Sequence, residues 1–262
     1  MHKPVLLNEV LEIFDPKPGE TYIDATVNGG GHAQALLDRV GPSGKVLGID
    51  RDCELIERIR AEMQAGESEN FLTVCGNYSE IVRLATERGC IRAHGILFDL
   101  GFSSYHIERS GGGFSFTRDE PLDMRYDRKH GGETAADFLR RVSEPELSKI
   151  LQEYGEERYA VRIARAVGRE RNTRMIQSTS DLVEVLRHAV PSMYRRGRVH
   201  FATRTFQALR LAVNDELTCL QIGLPAAFSI LRGSGRLAVI SFHSLEDRIV
   251  KNQFKALQRD GL

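Results

Sequence analysis

The chain has 262 residues, of which 41% are hydrophobic and 27% are charged. At about 150 residues per domain, this length predicts one large domain or two modest ones, and the composition excludes a disordered or fibrous protein. The apolar runs are far shorter than the about 20 residues that a membrane helix needs, and residues 1–10 do not form a signal peptide. We therefore expect a cytoplasmic protein that does not contact a membrane.

The charge is balanced in sum, with 36 basic and 36 acidic residues, but it is unevenly distributed. Residues 155–210 contain twelve arginines, no lysine and five acidic residues, a net charge of +7. This asymmetry is typical of a polyanion-binding module attached to a neutral or acidic body. The alternative is a solvated helix surface on which arginines pair with acidic residues at (i, i+4) spacing.

The four cysteines, at positions 53, 75, 90 and 219, form no C-x-x-C pair. This pattern predicts neither a zinc site nor a dithiol redox site. We expect no metal, and we expect reduced, mostly buried thiols.

Residues 21–100 alternate short β-type runs with helical stretches, which predicts parallel strands joined by helical crossovers. The predicted strands are 21–25, 45–49, 71–74 and 94–98, and the predicted helices are 33–40, 53–63 and 78–88. The fourth run is almost continuously apolar, as in strands that are buried on both faces of a parallel sheet.

The pattern changes after residue 100. Residues 103–132 are polar and glycine-containing, a length typical of functional loops, and residues 134–187 are helical, with capped starts near Ser143 and Ser178. A helix over 214–231, a turn at 233–235 and a strand over 236–241 follow. We therefore predict an α/β domain formed by residues 1–105 and 213–262, interrupted by an active-site loop and helical insertion over residues 106–212.

A glycine loop, Asn28-Gly29-Gly30-Gly31-His32, follows the first predicted strand and opens directly into a helix. Glycines let backbone amides approach a ligand, and a helix start offers unpaired N–H donors. The loop lacks the third glycine of the dinucleotide fingerprint, because Gln34 stands there, and it lacks a Walker A lysine. We therefore predict a ligand site that is specific for neither a dinucleotide nor a nucleoside triphosphate.

Polar residues follow three other predicted strands. Asp50 ends the second strand, Tyr78 follows the third and Asp99 ends the fourth, so all three lie at the carboxyl edge where open α/β sheets bind ligands. Asp50 is placed to accept both hydroxyls of a ribose. Taken singly, each residue is also compatible with a helix cap, a turn or a core position. Together with the glycine loop they indicate S-adenosylmethionine, which combines a nucleoside with an amino-acid tail and has no phosphate.

Six motifs of this chain together resemble the bacterial RsmH/MraW family, and the resemblance runs from His2 to Lys251. The motifs are HKPVLLNEV over 2–10, GGGH over 29–32, DLGFSS over 99–104, PLDMR over 121–125, FQALR over 206–210 and ISFHSLEDRIVK over 240–251. The resemblance implies a methyltransferase that uses S-adenosylmethionine to methylate N4 of a cytidine in the decoding region of 16S rRNA.

The resemblance also implies a fold and a site. The fold is a Rossmann-like class I methyltransferase sheet with an inserted all-helical subdomain that binds RNA, and the partner is 16S rRNA or the small ribosomal subunit. The cofactor-binding residues that it implies are Gly30, Gly31, His32, Asp50, Tyr78, Asp99 and His106.

The chain departs from the family pattern at three places. His106 stands where the family usually has glutamine, and Gly112 stands where it has an arginine before the Gly-Phe-Ser-Phe run. An imidazole cannot both donate and accept at one end as an amide does, so the contact at His106 is altered. The chain also stops at Leu262, and we expect the C-terminal hairpin of the sheet to be missing, in a truncated or a degenerate family member.

The chemistry at the target base is predicted from the residues that are present. Methylation at carbon 5 of cytosine generally needs a cysteine nucleophile in a Pro-Cys pair, and no proline here precedes a cysteine. Methylation at N4 needs an acceptor for the amine and a methyl group in line behind it, so positioning supplies most of the catalysis. We expect Asp99, with Ser103 or Ser104, to orient or accept from this amine.

Two further motifs point toward RNA. Arg195, Arg196 and Arg198, followed by His200-Phe201, are the candidate phosphate contacts, with a solvated loop as the alternative. The run 243–247, HSLED, has neither metal-ligand spacing nor a nucleophile elbow, which favours a structural or RNA-facing role.

Two other functions stay open from the sequence. One is a methyltransferase that acts on another RNA or on DNA. The other is a catalytically silent RNA-binding or ribosome-assembly factor that keeps the fold. The sequence specifies no oligomeric state, and a dimer is compatible with it.

Overall fold

The computed structural model describes residues 4–63, 70–101, 104–108 and 111–259. It divides into two compact units, one formed by residues 1–103 and 217–262 and the other by residues 104–216. From the sequence we placed these boundaries at 105/106 and 212/213. Within the described residues, no helix is both long and apolar enough to cross a membrane.

The first unit contains a sheet of five parallel strands in the order β3-β2-β1-β4-β5. The strands are β1 Thr21–Asp24, β2 Lys45–Asp50, β3 Phe71–Cys75, β4 Ala93–Asp99 and β5 Leu231–Ile240. The strand order reverses direction between β1 and β4, which is the topological switch point where open sheets of this kind bind ligands. The strand order therefore confirms the predicted Rossmann-like sheet and selects the ends of β1 and β4 as the place to look for a site.

Helices cover this sheet because its strands are apolar on both faces. They are α1 Leu7–Phe14, α2 Gly31–Val40, α3 Cys53–Met63, α4 Ile81–Glu87 after a 3₁₀ turn at Tyr78–Glu80, α12 Glu216–Ser229 and α13 Ser244–Arg259. In register, Ile23 of β1 lies between Leu47 of β2 and Ile96 of β4, and all three side chains are buried. This register determines where the carboxyl ends of β1, β2 and β4 lie relative to one another.

The second unit is helical in the described residues, which confirms the predicted run of helices. Its helices are α5 Ser104–Glu108, α6 Ala135–Arg141, α7 Glu144–Glu153, α8 Ala160–Glu170, α9 Thr179–Ala189, α10 Ser192–Arg195 and α11 Thr203–Val213. Ser143 caps α7 by accepting from the Glu146 N–H, and Ser178 and Asp181 form a full capping box at α9. Both predicted polar helix starts are therefore confirmed.

The predicted turn at Gly233-Ser234-Gly235 is wrong, because these residues lie inside β5. Ala93 pairs with Leu231 and Gly95 pairs with Arg236, so β5 has more residues than the facing part of β4 and accommodates them as an irregularity. Two closely spaced glycines, such as Gly233 and Gly235, are typical of a turn, but glycine is also common where a strand contains a bulge.

The prediction of reduced thiols is wrong for two of the four cysteines. Cys53 and Cys75 form a disulfide, whereas Cys90 and Cys219 are free and buried. Cys75 pairs in register with Asp50 at the end of β2, and Cys53 begins α3 just beyond it. The Cα atoms are therefore 5.0 Å apart although 22 residues separate them in sequence.

Candidate active site

The glycine loop leaves β1 at the switch point and is bound to the strands on both sides. The Ala25 N–H donates to the Leu97 carbonyl of β4, and the Val27 N–H donates to the Ile49 carbonyl of β2, both at 2.8 Å. The loop is therefore an extension of the sheet rather than a mobile connection.

Asn28 links the ends of β2 and β4 through this loop. Its backbone N–H donates to Oδ2 of Asp50 at 3.0 Å, and its side-chain Nδ2 donates to the carbonyl of Asp99 at 3.1 Å. Its φ of 48° lies in the left-handed region, which asparagine tolerates better than most residues. This role of Asn28 is not visible in the sequence, because its two partners lie 22 and 71 residues away.

We call the edge of the sheet where β1, β2 and β4 end the rim. The start of α2 offers backbone donors toward this rim. Gly30 has a φ of 77° and is the N-cap residue, so the N–H groups of the first turn of α2 have no intrahelical acceptor. A Cβ atom at Gly31 would lie 3.0 Å from the Pro4 ring, so a larger residue at this position would need a small shift of Pro4. The unpaired N–H groups at the start of α2 are chemically suited to an anion.

Three carboxyl groups, those of Asp24, Asp50 and Asp99, mark the ends of three adjacent strands. Asp24 is buried, and although its Oδ1 accepts from the Thr26 N–H, its Oδ2 has no hydrogen-bond partner in the described part of the chain. Burial, and then the negative charges of Asp99 and Asp50, raise the pKa of Asp24 to about 8. An acidic pocket of this kind favours a cationic ligand.

Asp99 is fixed through its backbone as well as its side chain. Its N–H donates to Oγ1 of Thr26 at 2.6 Å, while its Oδ2 lies 3.6 Å from Nδ1 of His32. Nε2 of the buried His32 lies 2.9 Å from the carbonyl of Val5, which can only accept, so Nε2 carries the proton. Burial lowers the pKa of His32.

Asp50 and Tyr78 lie on the β2 and β3 side of the rim. Oδ1 of Asp50 accepts from the Asp52 N–H at 3.0 Å and Oδ2 accepts from the Asn28 N–H at 3.0 Å, so two backbone donors orient this carboxylate. The Tyr78 ring packs edge-on against Phe98 at 5.3 Å, and a Cβ atom at Gly223 would lie 2.8 Å from it. The Cys53–Cys75 disulfide connects the two segments that carry Asp50 and Tyr78.

Phe242 is a rim residue that the sequence analysis missed. Its side chain is 57% exposed, although it follows β5 by only two residues, and a Cβ atom at Gly101 would lie 3.5 Å from its ring. Its N–H donates to Oε2 of the buried Glu246 at 2.9 Å, and Oε1 of Glu246 lies 3.1 Å from Nε2 of His243. The HSLED run thus fixes the start of α13 and holds an exposed aromatic ring near Asp99, since Ile240 pairs with Asp99 in register.

The remaining predicted site residues belong to the boundary and to the second unit. Ser103 lies outside the described residues, as does the side chain of Ser104, whose backbone begins α5. His106 is buried within the second unit, with its ring 5.1 Å from the rings of Phe114 and Tyr126. Its predicted contact with the cofactor stays a prediction.

The predicted phosphate contacts lie at the end of α10 and in the turn that follows it. Arg195, Arg196 and Arg198 are all exposed, and Met193 in α10 is exposed as well. Tyr194, which lies between Met193 and Arg195, is held in place because its hydroxyl donates to Oε2 of the buried Glu157 at 2.7 Å. This anchor positions the three arginines at the surface.

The amino-acid sequence is similar to those of known proteins along almost its whole length. Residues 1–261 match the sequence profile of the MraW methylase family. The chain belongs to this family. Among its relatives is the ribosomal RNA small subunit methyltransferase H of Syntrophotalea carbinolica, which is 46% identical over 255 residues, or 97% of this chain and 81% of the relative. The protein of the same name from Methylococcus capsulatus is 49% identical over 247 residues, or 94% of this chain and 81% of the relative.

Among solved structures, a putative rRNA-methylase from Clostridium thermocellum is similar to part of the chain. It is 20% identical, covers 39% of this chain and 54% of its own length, and has a TM-score of 0.34. We identify the fold of this MraW methylase family member from its own strand order. The chain is a methyltransferase that depends on S-adenosylmethionine.

The rim fits this methyl donor, which is a zwitterionic amino acid with an added sulfonium charge. The unpartnered, buried Oδ2 of Asp24 and the carboxylate of Asp99 suit the cationic groups, and the amides at the start of α2 suit the carboxylate. Asp50 suits the two ribose hydroxyls. When bound, the sulfonium supplies an electrophilic methyl group, and the residues of the chain supply its orientation.

Proposed function

We propose that this protein methylates N4 of a cytidine in the decoding region of 16S rRNA, within the small ribosomal subunit or its precursor in the cytoplasm. The names of its relatives support the small-subunit rRNA as substrate, and the six sequence motifs support the N4 position. The observation that carries the proposal is the position of Asp99, which ends β4 at the switch point, two residues before Gly101, beside which the exposed Phe242 ring lies.

The proposed cofactor contacts are Gly30, Gly31, His32, Asp50, Tyr78, Asp99 and His106. In this arrangement the amides of α2 hold the carboxylate end, Asp50 holds the ribose and the Tyr78 ring borders the nucleoside. Asn28 keeps Asp50 and Asp99 at a fixed separation, since it donates to both segments. Correct placement of the reacting groups is the main source of rate here.

Asp99 acts on the target amine. The lone pair of N4 is delocalised into the cytosine ring, so an acceptor that holds one N–H hydrogen helps to localise it on nitrogen. We assign this acceptor to the Asp99 carboxylate, with Ser103 or Ser104 as a second polar contact. After methyl transfer, the proton that leaves N4 has Asp99 as its nearest acceptor in this arrangement.

The base reaches Asp99 only when it is unstacked from its neighbours. Unstacking costs a few kcal/mol, and least in single-stranded or partly assembled rRNA. The exposed Phe242 ring offers a stacking surface that compensates for this cost. Arg195, Arg196 and Arg198 supply phosphate contacts from the helical unit.

The test is transfer of a tritiated methyl group to small-subunit particles purified from cells that lack the gene, followed by mapping of the modified nucleotide. We expect one labelled cytidine in the decoding region, and we expect Asp99→Ala to abolish the label even at S-adenosylmethionine concentrations that calorimetry shows to saturate the variant. Binding without transfer by the unmodified protein would identify a silent assembly factor instead. Equal transfer to DNA would also contradict the proposal.

A further inference from the structure

Three arginines of α8 lie on one exposed face of the helix. Arg162, Arg165 and Arg169 are spaced by three and four residues, which places their side chains on the same side. The three positions span about 10 Å along the helix axis at 1.5 Å per residue. We call these residues the α8 stripe.

The opposite face of α8 fixes the direction in which the stripe points. Ile163, Ala164 and Val167 are buried in the core of the helical unit, and all three stripe residues are exposed. The helix cannot rotate to bury the arginines without exposing this apolar face. The stripe is therefore a permanent surface of the folded unit.

Four of the five acidic residues of segment 155–210 contact groups other than the stripe. Glu170, Asp181 and Glu184 all converge on Arg174, with oxygens of Asp181 and Glu184 at 3.7 Å and 2.7 Å from its guanidinium nitrogens. Glu157 is buried and accepts from Tyr194 and from the Tyr159 N–H.

Within the described residues, no carboxylate oxygen therefore lies within 4 Å of a stripe guanidinium. The (i, i+4) acid–arginine pairing that the sequence left open occurs between Glu170, at the end of α8, and Arg174, but it does not involve the stripe in the described chain.

Other arginines of the segment have structural roles that the stripe lacks. Arg171 donates to the Leu139 carbonyl at the end of α6, and Arg210 forms a buried pair with Glu216 at 2.8 Å. Like charges at helical spacing are destabilising by themselves, so the stripe costs the helix some stability. A surface that lowers stability and supports no packing is expected to serve a partner.

Aromatic contacts link the start of α8 to α10. Arg158, two residues before α8, lies with its guanidinium carbon 5.3 Å from the centre of the Tyr194 ring, and the guanidinium carbon of Arg162 lies 6.0 Å from that of Tyr159. The centres of the Tyr159 and Tyr194 rings are themselves 4.8 Å apart. The first arginine of the stripe is therefore linked through two tyrosine rings to the residue that precedes Arg195.

We propose that the α8 stripe binds consecutive phosphates of the RNA backbone and is a main electrostatic contact of the helical unit with its substrate. The inference deepens the proposed function and rests on RNA being the substrate. Guanidinium groups form two parallel hydrogen bonds with a phosphate, and a row of them along a helix follows a run of phosphates without reading bases.

The test compares two triple variants with the unmodified full chain in binding an unmethylated, protein-free small-subunit rRNA transcript over a range of salt concentrations. One variant replaces the stripe (Arg162→Gln, Arg165→Gln and Arg169→Gln). The matched control (Arg140→Gln, Arg141→Gln and Arg174→Gln) removes three exposed arginines of the same unit, each of which is paired with an acidic residue. Both variants lose the same charge, and glutamine keeps the helix propensity of arginine.

We expect the stripe variant to flatten the slope of log K against log salt by about 2 to 3, while the control changes it little. Replacement of the stripe by three lysines should largely keep the slope, because the charges remain. Circular dichroism and melting temperature monitor folding, and the stripe variant should melt no lower than the unmodified chain. Equal slopes in the two variants, or an unchanged slope in the stripe variant, would overturn the proposal.

Two further arms separate this proposal from its alternatives. Weaker binding of the stripe variant to intact small-subunit particles, with normal binding to naked rRNA, would assign the stripe to an acidic protein and overturn the RNA assignment. Methyl transfer by the unmodified chain tests the proposed function separately. Transfer with an unaffected slope would reject the stripe alone, and an affected slope without transfer would reject the catalytic proposal alone.

Discussion

Nδ1 of His32 lies 3.6 Å from Oδ2 of Asp99, while Nε2 of the same ring is committed to the carbonyl of Val5. A neutral His32 therefore presents a lone pair to the carboxyl group that we assign to the target amine. Burial lowers the pKa of His32 and so favours this neutral form.

His32→Gln tests this arrangement through the pH dependence of methyl transfer. Glutamine keeps a donor for Val5 but cannot be protonated, whereas His32 gains a positive charge beside Asp99 at a pH below its lowered pKa. We therefore expect the acidic limb of the single-turnover rate, measured at saturating S-adenosylmethionine, to be shallower in the variant. An acidic limb identical to that of the unmodified chain would contradict a role for His32 protonation in the reaction.

Asp24 should couple the binding of S-adenosylmethionine to proton release. Its pKa is raised to about 8 by burial and by Asp99 and Asp50, so it is largely protonated at neutral pH, and an adjacent cation favours its ionised form. Calorimetry at pH 7 in buffers of different ionisation enthalpy should detect release of up to one proton. Asp24→Asn should bind more weakly and release less, and equal release by both proteins would remove Asp24 from the site.

The same raised pKa makes a prediction about stability. Because the folded pKa lies above the unfolded value of 3.8, the contribution of Asp24 is fully present below pH 3.8 and is lost as pH rises toward 8. The free energy of unfolding should therefore fall as the pH rises through this window, because the unfolded chain ionises Asp24 before the folded chain does. Urea titrations of Asp24→Asn should show a shallower pH dependence, and parallel curves would contradict the assignment.

Phe242→Ala should impair substrate use without loss of the cofactor. If the ring stacks on the unstacked base, its removal should cost about 1–3 kcal/mol in kcat/KM for RNA and leave S-adenosylmethionine affinity unchanged. Phe242→Tyr should retain activity, since it keeps the ring. Phe254→Ala is the matched control, because Phe254 is a partly exposed phenylalanine further along α13, and an equal loss in both alanine variants would argue against stacking.

The Cys53–Cys75 disulfide should support the cofactor rim. Cys53→Ser with Cys75→Ser should lower the free energy of unfolding by about 3 kcal/mol, as expected for closure of a loop of this length. It should also weaken S-adenosylmethionine binding, because the bridge joins the segments of Asp50 and Tyr78. Thermal melts and calorimetry with and without a reducing agent measure both effects. Insensitivity of the unmodified chain to reduction, in both measurements, would exclude this role.

The sequence predicted the parts of the site that depend on strand ends. Asp50 and Asp99 follow apolar runs, and parallel strands carry their carboxyl ends to one edge, so their proximity was predictable. Cys53 and Cys75 were not, because their approach depends on the register of β2 against β3. The role of Asn28 was also not predictable, because it needs partners at the ends of two different strands. The exposure of Phe242 depends on the contact of its N–H with Glu246 at the start of α13, which the sequence does not specify.

The double attachment of Asn28 has a kinetic consequence. Because one residue ties the loop to both neighbouring strands, the conformational entropy of the loop is lost during folding and not when the ligand binds. Capture of S-adenosylmethionine should then proceed in one step at a rate governed by encounter, with no slow rearrangement of the enzyme.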